Sequence, residues 1–391
     1  MSETLTSIDK MDSLNLDRSK WKLVSFGDVA LKQNEPVDRE TTDLKRYIAG
    51  QHMRSEDLHL REWGDVGENY LGPAFTRKFS VGDILYGSRR TYLRKVAVAD
   101  FEGITANTTF VIKANEDAIV KELLPFVMLS EGFTQHSIRN SKGSVNPYIN
   151  WKDIANYEFL LPPKDQQAKL AELLWAADSA IQSSTGIFPR LEILRKRILE
   201  NYFSEEEQYA ITTLGELVTI RSGDSPSKFE FVDETVGVPF HKVKDLNESV
   251  KYQNFAKEWV LPNDKKLVPV DSVIFPKRGA SIMTNKVRIT IKLCHVDTNT
   301  MALTVNDSNE LNPEFLYYYL LYKKLFRIAD TSQIPQINNV HINPFSIHLP
   351  PIEVQMCLLK DLDAVLELGS RTEGNIGAQS VLLKSLINQI F

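Results

Sequence analysis

Leu160-Leu161-Pro162-Pro163-Lys164-Asp165-Gln166-Gln167 returns as His348-Leu349-Pro350-Pro351-Ile352-Glu353-Val354-Gln355, 188 residues further on (Pro162 to Pro350). The same separation relates Pro147, Ile149 and Asn150 to Pro335, Ile337 and Asn338. It relates Phe26-Gly27-Asp28 to Leu214-Gly215-Glu216, Asp83 to Asp271, and Phe203 to Phe391. Asn107-Thr108 matches Asn299-Thr300 at a slightly larger separation, which indicates a small insertion. Chance matches do not hold one offset along a whole chain. The period far exceeds that of a solenoid, so each copy is a domain rather than a stacking unit. A chain of 391 residues suits such a duplication.

Each copy divides at its Pro-Pro pair. Before it lie short β-rich runs, among them Asp83–Ser88, Arg94–Ala99, Thr108–Lys113, Asp271–Phe275 and Arg288–Leu293. Between the runs are helical stretches, such as Pro313–Phe326 with Asn312 as cap and Pro313 at the first helical position. After the pair the pattern turns helical. Leu170, Leu174, Ala177, Ile181, Ser184, Phe188, Leu191, Arg195, Ile198 and Tyr202 alternate by four and three. Leu358, Leu362, Val365, Gly369, Thr372, Ile376, Gln379, Leu383, Leu386 and Ile390 do the same. These are heptad seams and predict a coiled-coil pair. Gly186 and Pro189 interrupt the first run, Gly374 and Gly377 the second, without loss of phase; one long kinked helix is expected in each copy.

Acidic residues outnumber basic ones, 51 to 46, for a net charge of -5, so a uniformly basic nucleic-acid binder is excluded. Any such surface is a local patch, or is shared with a basic partner. The two cysteines, Cys294 and Cys357, make neither a zinc spacing nor a disulfide framework. The first twenty residues lack the apolar core of a signal peptide, and no run is long enough to span a bilayer. A cytoplasmic protein without membrane attachment is expected.

Catalytic signatures are missing from the sequence. Asn146-Pro147-Tyr148 and Asn343-Pro344-Phe345 lack the second proline of an adenine methyltransferase loop, and no Gly-x-Gly-x-x-Gly stands near them. There is no phosphate-binding P-loop, no nuclease signature and no Gly-x-Ser-x-Gly elbow. His52 and His59 have no third partner for a metal, so no metal site is expected. The sequence favours binding over chemistry and predicts a non-enzyme.

The Pro-Pro–Gln–helix arrangement ends in Leu194-Arg195-Lys196-Arg197-Ile198-Leu199-Glu200-Asn201-Tyr202-Phe203 and in Leu382-Leu383-Lys384-Ser385-Leu386-Ile387-Asn388-Gln389-Ile390-Phe391. With the opening Trp21–Val29 and the strand Gly82-Asp83-Ile84-Leu85-Tyr86, it resembles the specificity subunit of type I restriction–modification systems from about Trp21 to Phe391. The resemblance implies an α+β fold of two similar target-recognition domains joined by two long antiparallel coiled-coil helices, an internal pseudo-two-fold repeat. The parts are an arm at 1–20, domains at 21–161 and 209–349, and spacer helices at 162–208 and 350–391. It also implies a bipartite, asymmetric double-stranded DNA site read one half per domain. Two modification subunits would bring S-adenosylmethionine, and two restriction subunits ATP-driven translocation and cleavage with magnesium; this chain would hold no cofactor.

Candidate DNA contacts fall in two loops per copy. Arg89 and Arg90 in the first copy, with Lys277 and Arg278 in the second, follow equivalent strands and suit guanine edges or phosphate. Lys142, Ser144, Asn146 and Tyr148, with Ser332, Gln333 and Gln336, form polar turns whose side chains suit base edges or phosphate. Turn chemistry and solvated loop charge explain the same residues without DNA. Arg221–Ser225 is a weaker candidate. Tyr317, Tyr318, Tyr319 and Tyr322 read as core and rim packing, Arg195-Lys196-Arg197 as a solvated helix face, and Trp175 as a residue that docks a partner or packs internally. A lone nuclease or methyltransferase, and a protein-interaction scaffold, remain the rival readings of the residues.

Overall fold

The computed structural model describes residues 16–67, 71–204 and 206–391; of the arm delimited as residues 1–20, residues 1–15 lie outside the described residues. The chain separates into two compact units. One runs to Thr185 and includes Glu373–Phe391; the other is Gly186–Thr372. Each unit thus takes one β-rich domain together with half of each helical stretch.

In the first unit, Lys22–Ser25 pairs antiparallel with Glu158–Leu161 and clasps the two ends of the domain together. Glu158–Leu161 alternates, with Phe159 and Leu161 buried. Ala30–Gln33, Thr109–Ala114, Ile84–Gly87 and Val96–Val98 form an antiparallel sheet in that order. A second sheet runs Gly64–Asp65, Arg46–Ile48, Gly103–Ala106 and Phe75–Phe79, with its middle pair parallel. The core includes Phe26, Tyr86, Phe126 and Phe133, and it is completed by Leu170 and Leu174 and by Ile387 and Ile390 from the end of the chain.

The second unit repeats the plan. Ile211–Thr213 pairs with Ser346–His348. Val218–Ser222, Thr300–Val305, Val273–Pro276, Arg288–Thr290 and Tyr252–Gln253 form one sheet, and Phe231–Val232, Glu258–Val260, Val238–His241 and His295–Val296 the other. The helix Pro313–Lys323 starts at Asn312, whose side chain accepts from Glu314 N and Phe315 N, as the sequence predicts. Tyr317, Tyr318 and Tyr319 are buried, and Phe203 packs edge-on against Tyr319 and tilted against Tyr322 to complete this core.

Two repeated residues have a direct physical reason. A Cβ on Gly27 would meet Ala155 at 3.1 Å, and one on Gly215 would meet Asn343 at 3.0 Å, so both sites need close backbone approach. Gln167 and Gln355 are fully buried and bond alike. The Gln167 amide donates to Pro162 O and accepts from Val120 N; that of Gln355 donates to Pro350 O and Glu310 O and accepts from Asn312 N. Each glutamine fastens the start of a long helix to a loop of its own domain.

The helical stretches follow the seams. No seam residue in either copy falls in the exposed class. The first stretch is two helices, Lys164–Thr185 and Ile187–Ser204, while the second is continuous from Ile352 to Ile390. Pairing is antiparallel. In the first unit Ser184 donates to Gln379; in the second Tyr202 bonds Asp361 and Leu191 lies beside Gly369. The expected single kinked helix in copy one is therefore an interrupted pair. Pro189 has no N–H for the Thr185 carbonyl, and Gly186 permits the break.

One pairing by sequence is corrected. Gly82 N bonds Ala99 O and Asp271 N bonds Thr290 O, both with positive φ. Gly82, not Asp83, therefore corresponds to Asp271, one residue off the repeat offset. The same slip carries through the following strand and loop.

Candidate nucleic-acid interface

The backbone bonds fix which loop residues correspond. Ser88 N bonds Thr108 O and Lys277 N bonds Asn299 O, so Ser88 matches Lys277 and Arg89 matches Arg278. Arg90 then matches Gly279, and both have positive φ, +48 and +84. The two basic loops thus follow equivalent strands, as the sequence reading has them.

In each unit the structure joins the two candidate loops. Arg90 N bonds Pro147 O at 2.6 Å and Ile149 N bonds Ser88 O at 2.9 Å. Lys142 and Tyr148 exchange backbone bonds at 2.8 and 2.9 Å, and Arg89 bridges to Tyr148. In the second unit Gly279 N bonds Pro335 O and Ile337 N bonds Lys277 O, both at 2.8 Å. Asp330 and Gln336 exchange bonds at 2.9 and 3.0 Å, and Arg278 bridges to Gln336. Arg89, Arg90, Lys142, Ser144, Asn146 and Tyr148 are exposed, as are Arg278, Ser332 and Gln333; Lys277 and Gln336 are half-buried. All eleven candidates thus fall into one paired loop per unit, and the backbone of each is held by its own domain.

Electrostatics identify cations that sequence spacing missed. Burial, with the Arg90 guanidinium nearby, lowers the Lys95 ammonium from its ordinary range. Burial and Arg77 do the same to Lys32, which sits 5.0 Å from the Phe110 ring centroid. In the second unit burial first, then Lys266 and Arg278, lower Lys277, while Asp297 opposes them. At all three sites burial, and after it neighbouring positive charge, disfavours the protonated ammonium. Lys32 and Arg77 lie in strands distant in sequence and Lys95 just before the strand Val96–Val98, and no local motif marks them. Lys142 pairs with Asp153 at 3.1 Å, and its counterpart in copy two is Asp330. The two loops therefore present different charge patterns.

The other candidates are accounted for within the fold. Arg221 donates to Thr304 Oγ1 at 2.9 Å, and Asp224 is held by Lys228 and Lys266 at 2.8 and 3.1 Å. Those bonds lower the Asp224 carboxyl to about 2. Trp175 donates to Glu122 O and packs on Phe126, which explains it by internal packing. Arg195 pairs with Glu192. His59 bonds Asp178 at 2.7 Å, and that bond first of all raises its pKa. Among the described residues no cluster of His, Cys, Asp and Glu could hold a metal ion, and no helix is long and apolar enough to cross a membrane.

The chain is thus a duplicated α+β protein, with one braced polar loop per copy and antiparallel long helices. A family model described as the type I restriction modification DNA specificity domain matches residues 18–192 and again 206–377. The chain belongs to that family and is a specificity subunit, a non-catalytic component that recognises DNA sequence. It is 26% identical over 318 residues to the type I restriction enzyme MjaIX specificity subunit of Methanocaldococcus jannaschii, covering 73% of this chain and 72% of that one. It is 27% identical over 195 residues to the EcoDI specificity subunit of Escherichia coli, covering 48% and 42%. The fold is shared with the HsdS subunit from Thermoanaerobacter tengcongensis, at TM-score 0.54, 18% identity and 95% and 97% coverage. A chain from a study of complex assembly and conformational transition in the type I R-M system matches at TM-score 0.64 and 19% identity, with the same coverage.

Proposed function

We propose that the chain reads a bipartite, asymmetric duplex site, one half per domain, and directs methylation or cleavage by partner subunits. Arg89, Arg90, Lys142, Ser144, Asn146 and Tyr148 contact one half; Lys277, Arg278, Ser332, Gln333 and Gln336 contact the other. Two modification subunits supply S-adenosylmethionine chemistry, and two restriction subunits the ATP- and magnesium-dependent steps. The observation that carries the reading is the paired loop, built by the same backbone bonds in both units but with different side chains. Identical loops would read a palindrome; Lys142 against Asp330 argues for unlike half-sites. Arg and Lys beside Asn, Gln and Ser is the mixture that duplex recognition uses for phosphate and base edges.

The test is an exchange of residues 21–161 for the first domain of another family member, followed by methylation mapping of host DNA. One half of the methylated site is expected to change and the other to stay. A change in both halves, or in neither, overturns the reading.

A further inference from the structure

Each paired loop also carries an apolar side chain that its own domain leaves in solvent. Val145 lies at the centre of the Lys142–Tyr148 loop and is 94% exposed. Ile334 lies in the Asp330–Gln336 loop and is 58% exposed. A single exposed aliphatic residue on a surface is ordinary. Here an exposed aliphatic recurs in two loops of unlike sequence, Lys-Gly-Ser-Val-Asn-Pro-Tyr and Asp-Thr-Ser-Gln-Ile-Pro-Gln, at neighbouring positions of the loop, Val145 corresponding to Gln333 and Ile334 to Asn146. Both loops are closed by reciprocal backbone bonds and tied to a basic loop. Both side chains are β-branched, so their rotamers are stiff and little freedom is lost on contact.

Building on the DNA-reading proposal above, we propose that Val145 and Ile334 are specificity-determining residues, each packing against a thymine C5-methyl in the major groove of its own half-site. Two observations and the chemistry of the groove select that occupant. Arg89, Arg90 and Arg278 form no ion pair among the described residues, so charge beside the loops suits a polyanion. Each loop folds back on itself and is closed by one reciprocal pair of backbone bonds, two chain widths that the major groove admits at about 12 Å and the minor groove, at about 6 Å, does not. The thymine methyl is the apolar group that base pairs present in the major groove. Polar neighbours, Ser144 and Asn146 in one loop and Gln333 in the other, would engage the flanking base edges.

The experiment pairs a protein change with a DNA change. The full chain, assembled with its modification partner, is titrated against a duplex carrying the mapped site. Each thymine is replaced singly by deoxyuridine, which lacks only the methyl. For the unaltered chain, one replacement in the half read by the first domain should weaken binding roughly fourfold, the worth of one buried methyl-sized group. Val145→Ala should weaken binding to the thymine duplex by at least as much and abolish the further effect of that one replacement. Ile334→Ala should do the same at one position of the other half. Val145→Ile should retain the uracil sensitivity, which separates lost contact from lost fold. If uracil effects persist unchanged in Val145→Ala, or if no single replacement matters, the inference fails. A loss independent of the thymine methyl, as for a wedge between base steps, also overturns it. The variant Arg89→Ala/Arg90→Ala distinguishes the layers. If it leaves affinity unaltered, the underlying DNA reading of the loop fails. If it weakens binding while the uracil and Val145 effects simply multiply, only the thymine inference fails.

Discussion

Two buried side chains lead to predictions at the scale of single residues. Gln355 satisfies Asn312 N and the carbonyls of Glu310 and Pro350 inside the protein. Gln355→Leu keeps the bulk and strands those groups, so it should destabilise the second unit by about 2 to 4 kcal/mol. The midpoint of urea unfolding measures it, and a loss below about 0.5 kcal/mol contradicts the fastening role. His241 is buried in the strand Val238–His241, and burial lowers its pKa to about 4. Above pH ~6.5 the imidazole is neutral in both folded and unfolded chains. Between 6.5 and 4 the unfolded chain takes up a proton that the folded unit refuses, and stability falls as pH falls. The loss by pH 4 is roughly 3 kcal/mol. His241→Leu should remove that part of the pH dependence, read as melting temperature against pH; an unchanged profile rejects it. The glutamines were visible in the sequence because they repeat. Their partners were not, because a backbone N–H such as that of Val120 leaves no mark on residue type. The same holds for Val145, whose identity says nothing of its exposure.

At the scale of elements, the helical seams were legible residue by residue, since burial follows a period that sequence carries directly. The difference between the two interruptions was less so. Gly186 with Pro189 ends a helix, whereas Gly374 and Gly377 lie inside one. The physical difference is the missing N–H of proline; glycine alone costs only about 1 kcal/mol of helix propensity. A Cβ at Gly374 or Gly377 meets nothing within 4 Å, and neither has a positive φ. Gly374→Ala and Gly377→Ala should therefore each stabilise the first unit by about 1 kcal/mol. Thermal unfolding checks this, and a destabilised double variant shows that the space is needed. In the strands, identity misled. Aspartate at 83 and at 271 suggested a match, but the backbone requires Gly82 and Asp271 to share a left-handed turn. A one-residue slip of this kind is set by hydrogen bonding rather than by side-chain likeness.

At the scale of the whole molecule, charge decides how recognition is shared. Net charge is -5, yet Arg89, Arg90 and Arg278, which form no ion pair among the described residues, stand beside the paired loops, and Lys32, Lys95 and Lys277 lie close to further cations. Affinity for duplex DNA arises largely from phosphates neutralised and counterions released, so a few local cations in an acidic chain make a weak binder alone. A modification subunit bound to this chain would add its own contacts to the same duplex. Gel shifts over one salt series, with the chain alone and with that partner, on the mapped site, test the division. The complex should bind more tightly and with a steeper salt dependence than the chain alone. Each guanidinium removed from a phosphate flattens the slope of log affinity against log salt by about 0.9. Arg89→Ala/Arg90→Ala in the complex should therefore flatten it by about 2 if both arginines hold phosphate, and by less if one is engaged with a guanine edge. In that second case affinity falls more on the mapped site than on unrelated DNA. Equal affinity for the chain with and without its partner would show that the local patches suffice despite the acidic surface. An unchanged slope and unchanged selectivity in the double variant would remove the paired loop of the first unit from the DNA interface.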